Sequence, residues 1–334
     1  MKKPPFLMAI LCLIFSCELT EFSDASYHEN KETVVSQKNS EFYRDLVFWH
    51  APVHYQDVDR TGSHGLKGKA DYITAYDYDG DFDAKNNWNN LRNPNFPTKA
   101  ISYYSVTETE THYFILYTFF HPRDWTDFWL LYRIDEHEND LEGVLTVVKK
   151  DATMYGEVIA AVTVFHSDFY SYTTSGSGLS DGSETIDGLL SFENHNGIQR
   201  IQTSAEAKGH GIKAYSDQKP RGSDYVVYYP STTSSEIPAD IYDRHVAYEL
   251  IDIFKPKGFW EQRFNTELLN NASSFQKSYG NGSANAPWSW NDKNDGSGPG
   301  LERGDIAKDP AALVAKYFSN LGDYSEEYIM NLYL

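Results

Sequence analysis

From about Phe42 onward the chain alternates short apolar runs with clusters of Asn, Gly, Ser and Pro. The runs are rich in aromatic and β-branched residues, which favour extended chain over helix. They predict strands at residues 100–106, 112–120, 128–134, 142–149, 158–165, 198–205, 225–229 and 245–253. Polar breaks fall at 86–95, 175–182, 194–197 and 219–223. Many short strands and little helical periodicity predict an all-β fold, an antiparallel β-sandwich. One helix is signalled late. Asp309-Pro310 precedes Ala311-Ala312-Leu313-Val314, an N-cap aspartate followed by proline at the first helical position. It belongs to a small, mostly irregular or helical C-terminal extension, in which loop 281–300 packs through Trp288 and Trp290. No internal repeat is visible.

The first residues predict export. Lys2 and Lys3 precede an apolar run from Phe6 to Phe15, and Ser16-Cys17 follows. Ten residues fall well short of the roughly 20 that span a bilayer as a helix, so the segment reads as a signal peptide rather than a membrane anchor. Ile14-Phe15-Ser16-Cys17 resembles a bacterial lipobox, which implies an acylated Cys17. The expected organisation is a signal and lipobox at 1–17, a flexible polar tether at 18–41, a β-sandwich with a cation site at 42–255 and the extension at 256–334. The only cysteines are Cys12 and Cys17, so the body has no internal disulfide and relies on its core.

Net charge is -19. Removing residues 1–16 takes away Lys2 and Lys3 and leaves -21 (-19 minus 2). That argues against non-specific binding to nucleic acid or to anionic lipid, so a membrane is expected to be met only through the lipid anchor.

Candidate chemistry gathers between residues 113 and 148. Tyr113-Phe-Ile-Leu-Tyr-Thr-Phe-Phe-His-Pro-Arg-Asp124 is followed by His137-Glu-Asn-Asp140-Leu-Glu142, which leads into a Val-rich run. Asp140 and Glu142 are two apart, so a strand presents both on one face. His137 lies close enough to fold onto that face, and Asp124 ends the preceding run. Carboxylates crowded on one rim repel unless a counter-charge is present, and hard cations favour carboxylate oxygen. The same spacing is also compatible with a solvated acidic turn.

These residues resemble the motifs of the necrosis-inducing protein family, secreted cytolysins of plant pathogens. Phe119-Phe120-His121-Pro122-Arg123-Asp124 is similar to the family's aromatic strand ending in a Pro-basic-Asp step. Glu136-His137-Glu138-Asn139-Asp140-Leu141-Glu142 is similar to its Gly-His-Arg-His-Asp-Trp-Glu heptapeptide. The resemblance implies a divalent cation at Asp124, His137, Asp140 and Glu142, with Mg or Ca preferred to Zn. It places His166 near the ligand cavity, and Ala207-Lys208-Gly209-His210-Gly211 is similar to a late segment of related vacuolar-protein-sorting proteins, which adds His210. Glu136, Asn139 and Leu141 depart from the heptapeptide, and the family's disulfide is absent. The motif match spans about 35 residues.

Asp77-Tyr-Asp79-Gly80-Asp81-Phe82-Asp83 suggests a calcium loop but lacks the EF-hand glycine and closing glutamate. His166-Ser167-Asp168 cannot act as a triad along one strand, because neighbours point to opposite faces. Asp140 and Glu142 are too crowded to flank a glycosidic bond. The functional expectation is cation-dependent binding of a polar ligand such as a glycan or glycolipid headgroup. The alternatives are a metal-dependent hydrolase with His166 or His210 as base, and a structural surface protein.

Overall fold

The structure is a computed structural model that describes residues 40–293 and 302–334. The export signal, Cys17 and residues 18–39 of the tether lie outside the described residues. Two compact units divide the chain, Met1–Tyr43 and Arg44–Leu334. Of the first, only residues 40–43 are described, and they are helical. The sheet, the core and the candidate site belong to the second. Among the described residues no helix is long and apolar enough to cross a membrane.

One large sheet dominates. Its strands are β1 (Val53–Asp57), β2 (Ile101–Thr109), β3 (His112–Asp124), β4 (His137–Lys149), β5 (Glu157–Phe165), β6 (Asp168–Thr173) and β7 (Gly188–Leu189). They continue as β8 (Phe192–His195), β9 (Ile198–Ala205), β10 (Ile212–Ala214), β11 (Tyr225–Ser231), β12 (Val246–Asp252) and β13 (Tyr328–Asn331). The spatial order is β10-β9-β1-β11-β12-β2-β3-β4-β5-β6-β7, with β8 beside β9 and β13 beside β2. The all-β class holds, but the sheet is mixed rather than antiparallel throughout. β2 to β6 form an antiparallel meander. The pairs β1/β9, β11/β12, β12/β2 and β6/β7 are parallel. Parallel neighbours need long crossovers, and here residues far from the meander in sequence return to the free edge of β2. The sheet curls so that β10 packs across β4 and β5.

Both faces of the central hairpin are covered, which explains why its sequence reads as an unbroken apolar run. On one face Phe114, Leu116 and Phe120 of β3 meet Leu141, Leu145 and Val147 of β4. The C-terminal residues Phe259, Phe275, Trp288, Trp290, Ile306 and Leu313 join the same core. The expected helix is present at Pro310–Tyr317, and its Asp309 N-cap accepts from the Ala312 amide. On the opposite face Tyr117 donates to the Val47 carbonyl at 2.7 Å, and Phe119 stacks on His54 with 4.0 Å between centroids.

The expected strand at 128–134 does not form. Trp129–Leu131 is a single 3-10 turn, and Phe128, Trp129, Leu130 and Ile134 are exposed. β3 pairs directly with β4, so this run is the tip of their connection and has no sheet edge to join. Glu136 pins its base. Its carboxylate accepts from the Thr126 and Arg133 amides, from Tyr279 Oη at 2.9 Å and from His64 Nδ1 at 2.6 Å.

His112, the fully buried first residue of β3, generates a pH prediction. Burial, and then the nearby charges of Lys149 and Lys150, lower its pKa to about 4. An unfolded histidine titrates near 6.5. Between those values the folded state holds fewer protons than the unfolded one, so falling pH removes stability. His112→Gln eliminates this contribution. The stability difference between wild type and variant is expected to shift against wild type as pH falls from 6.5 to 4, by at most about 1.4 kcal/mol per pH unit. Denaturant unfolding across that range measures it. A difference that stays constant with pH refutes the assignment.

Candidate metal centre

The centre is built on the β3–β4 ladder. Its register sets Phe119 opposite Glu142, His121 opposite Asp140 and Asp124 opposite His137. Directly opposed residues share a face of the sheet, so His121, Asp140 and Glu142 look into the same interior. Strict alternation would send Asp124 and His137 to the other side. It breaks at Asn139, whose φ of +64° lies in the left-handed region. Beyond that residue His137 remains beside Asp124, with Nε2 3.3 Å from Oδ2. Its Nδ1 donates to the Asn139 carbonyl at 2.8 Å.

The fourth wall is the β9–β10 hairpin. A side chain on Gly209 would strike the ring of His166, and one on Gly211 would strike the ring of Phe165. Bare backbone at these two positions lets the hairpin close over the end of β5 and seat His210 with no exposure. His210 Nδ1 donates to Asp140 Oδ2 at 3.0 Å, and Nε2 lies 3.3 Å from Asp71 Oδ1. Its ring stacks on His121, with centroids 3.7 Å apart and planes within 3°. His166 borders the same group. Its backbone N–H donates to Glu142 Oε1 at 3.0 Å, and its Nε2 lies 3.0 Å from Glu206 Oε1.

The electrostatics follow from burial and crowding. Burial opposes a charge on His137, but the bond to Asp124 and the charges of Asp124 and Asp140 outweigh it and lift the pKa to about 9. For His210 burial is likewise outweighed, here by the bonds to Asp140 and Asp71, and the pKa again reaches about 9. His121 is driven well below its ordinary value by burial and then by the positive charge of His210. Glu142 moves the other way. Burial and then the charge of Asp140 push its carboxyl well above the usual range. Its Oε2 is buried with no hydrogen-bond partner among the described residues.

Asp124 and His137 lie side by side, and Asp140, Glu142, His166 and His210 surround the same interior. Among the described residues, His121, Asp140 and His210 are the group of three whose ligand atoms all lie within 4.8 Å of one another. These residues could hold a metal ion. His121 was not among the expected ligands, although a hairpin register that pairs Asp124 with His137 also pairs His121 with Asp140. Asp71, Glu206 and Gln56 were missed as well. Gln56 and Asp71 sit on segments with no motif and arrive through tertiary pairing, and Glu206 lies just ahead of the 207–211 segment. The Asp77–Asp83 cluster forms a local turn. Asp81 accepts from the Asp83 amide, and Asp83 from the Lys85 amide.

A cavity of about 380 Å³ adjoins the group and is lined by Asp57, Asp59, Glu206, Lys208, Arg221 and Asp224 among others. Glu206 links the two, with its Oε1 3.0 Å from His166 Nε2. Lys208 bridges Asp59 at 2.9 Å and Asp127 at 3.0 Å.

Asn139 supports the left-handed step with its side chain. Its Nδ2 donates to the Ala84 and Gln276 carbonyls at 2.8 and 2.9 Å, and its Oδ1 accepts from Asn87 at 2.7 Å. Asn139→Ala strands these buried partners and places a Cβ residue without a local bond at positive φ. The expected loss is about 3 kcal/mol in urea unfolding. Asn139→Gly loses the same bonds but not the backbone tolerance, so it should be the more stable of the two. An alanine variant at least as stable as the glycine variant contradicts the backbone argument.

No family model matches the chain, and no curated protein matches it. Solved structures do. One is described as a toxin fold for microbial attack and plant defense, at 13% identity over 62% of this chain and 74% of that one, with a TM-score of 0.31. A second is NLPPya in complex with mannosamine, at 14% identity over 74% and 85%, with a TM-score of 0.31. A third is necrosis and ethylene inducing protein 2 from the causal agent of cocoa's witches' broom disease, at 12% identity over 53% and 70%, with a TM-score of 0.29. The chain resembles these necrosis-inducing proteins, and the chemistry of its centre rests on its own residues.

Proposed function

We propose that the protein binds a divalent cation at Asp124, His137, Asp140 and Glu142 and, through it, a polar ligand such as a glycan or glycolipid headgroup. The observation that carries this reading is Glu142. Its buried Oε2 has no partner among the described residues, and burial, then the neighbouring acids Asp140, Asp124 and Glu206, oppose its ionisation. A cation supplies the missing counter-charge. The oxygen-rich donor set suits Mg or Ca better than Zn. His166, 42% exposed at its side chain, stands between this group and Glu206 of the cavity. A hydroxyl-rich ligand held by the cation and the cavity's polar lining needs no nucleophile.

Binding only to the folded state raises the melting temperature by mass action. Chelator-stripped protein should gain stability on addition of Mg or Ca, by about 2.7 kcal/mol at a hundredfold excess over the dissociation constant. Glu142→Gln, which keeps the shape and removes the charge, should abolish the gain. Glycan-array binding should then require the cation and weaken in His166→Ala with cation affinity intact. An unchanged melting curve with and without Mg or Ca refutes the site. Turnover of a phosphoester, glycoside or ester that disappears in His166→Ala replaces the binder with a metal-dependent hydrolase.

We also infer export and lipid anchoring at Cys17, on the strength of the short apolar run, the lipobox-like step and the polar stretch that follows. Mass spectrometry of the membrane fraction should find an acylated peptide beginning at Cys17. A Cys17→Ser protein that still fractionates with membranes argues against the anchor.

A further inference from the structure

The interior holds a second kind of donor set, whose rings are oriented from behind. Gln56 Nε2 donates to the carbonyls of Asp57 at 2.9 Å and Glu206 at 3.1 Å. Turning the amide over would aim its oxygen at two carbonyls, so its Oε1 must face His121 Nε2, 3.0 Å away. An amide oxygen only accepts. His121 therefore carries its proton on Nε2 and its lone pair on Nδ1. That nitrogen is buried and has no hydrogen-bond partner among the described residues.

His210 is backed in the same way. Asp71 Oδ1 stands behind its Nε2, and Asp71 is itself fixed by Trp125 Nε1 at 2.7 Å, the Lys208 amide at 2.9 Å and the Asp59 amide at 2.8 Å. A carboxylate or carbonyl oxygen behind one ring nitrogen is the usual means of aiming the other at a metal. In front stands Asp140 Oδ2. His121, His210 and Asp140 are at most 4% exposed.

We propose that His121, His210 and Asp140 form a nitrogen-rich metal position for a borderline ion such as zinc, cobalt or nickel, separate from the oxygen-rich position at Asp124 and Glu142. Two imidazole nitrogens and one carboxylate oxygen select such ions over Mg and Ca. The two positions share only Asp140. The ring planes lie within 3° of each other, and His210 Nδ1 donates its hydrogen to Asp140, so a metal held by both rings takes the place of that proton.

Cobalt reports on this position without any assay of activity. Full-length protein, stripped with chelator, is titrated with Co(II) and followed by visible absorption. The expected result is one equivalent of cobalt with ligand-field bands of nitrogen–oxygen coordination. Zinc should bleach them, and about a hundredfold excess of Mg should not. His121→Leu should lose the bands, while Asp124→Asn keeps them. Gln56→Leu, with both rings and Asp140 present, should weaken cobalt affinity about 10- to 100-fold. Absence of the bands overturns the proposal, as does their persistence in His121→Leu or displacement by Mg. If His121→Leu fails to fold, the Mg competition, Asp124→Asn and Gln56→Leu decide the matter. Loss of the bands in Asp124→Asn assigns cobalt to the oxygen position. Because the Mg and Ca response is read in Glu142→Gln, failure of one position is distinguishable from failure of the other.

Discussion

The pairing of β3 with β4 is the constraint on which the rest depends. Two thirteen-residue strands run in one register along their whole length. That register fixes the cross-strand neighbours of the centre, and alternation assigns their side chains to opposite environments. One face supplies Phe120 and Leu141 to the apolar core, and the other supplies His121, Asp140 and Glu142 to the polar interior. A slip of one residue would exchange the two sets, burying carboxylates among tryptophans. The apolar core therefore holds the polar interior in place: the energy that buries Phe114, Leu116 and Leu145 also forbids any other placement of the acids.

The polar interior is costly and is held by hydrogen bonds from outside it. Asp71 is buried without exposure and accepts from two backbone amides and an indole. Arg123 is equally buried. Its guanidinium donates to the Trp88 and His64 carbonyls and stacks 4.3 Å above the Trp88 ring. These contacts lock the loops around the centre before any ligand arrives. Buried polar networks repay their desolvation only when every member is satisfied. Glu142 Oε2 and His121 Nδ1, one oxygen and one nitrogen, are among the buried atoms left without a partner in the described residues.

Much of this was legible in the sequence, for local reasons. The strands of the meander from β2 to β5 come from successive apolar runs, and the Pro310–Tyr317 helix comes from its cap. Asp124 and His137 were singled out through the motif resemblance, and the structure places them at the two ends of one connection. β1 was not: Val-His-Tyr-Gln-Asp is short and polar at His54 and Gln56, yet both are fully buried. Its partners β9 and β11 lie more than a hundred residues away, and no local pattern announces such a pairing. Gln56 and Asp71 were invisible for the same reason. The run at 128–134 misled because its composition suits a strand, whereas strand formation also needs a free edge.

Three of the four departures from the heptapeptide have physical readings. Asn139 occupies a left-handed position, which asparagine tolerates better than most residues, and all three of its bonds tie down neighbouring loops. Leu141 is 2% exposed in the apolar core, where a leucine fills the space without a polar atom to satisfy. Glu136 anchors the exposed connection through four hydrogen bonds. Each change adjusts the scaffold around the centre, and each side chain points away from the acids. The positions at which the chain keeps the motif, His137, Asp140 and Glu142, are the ones that face the interior or its rim. Scaffold roles and donor roles thus separate along a single strand, residue by residue, according to the face each side chain occupies.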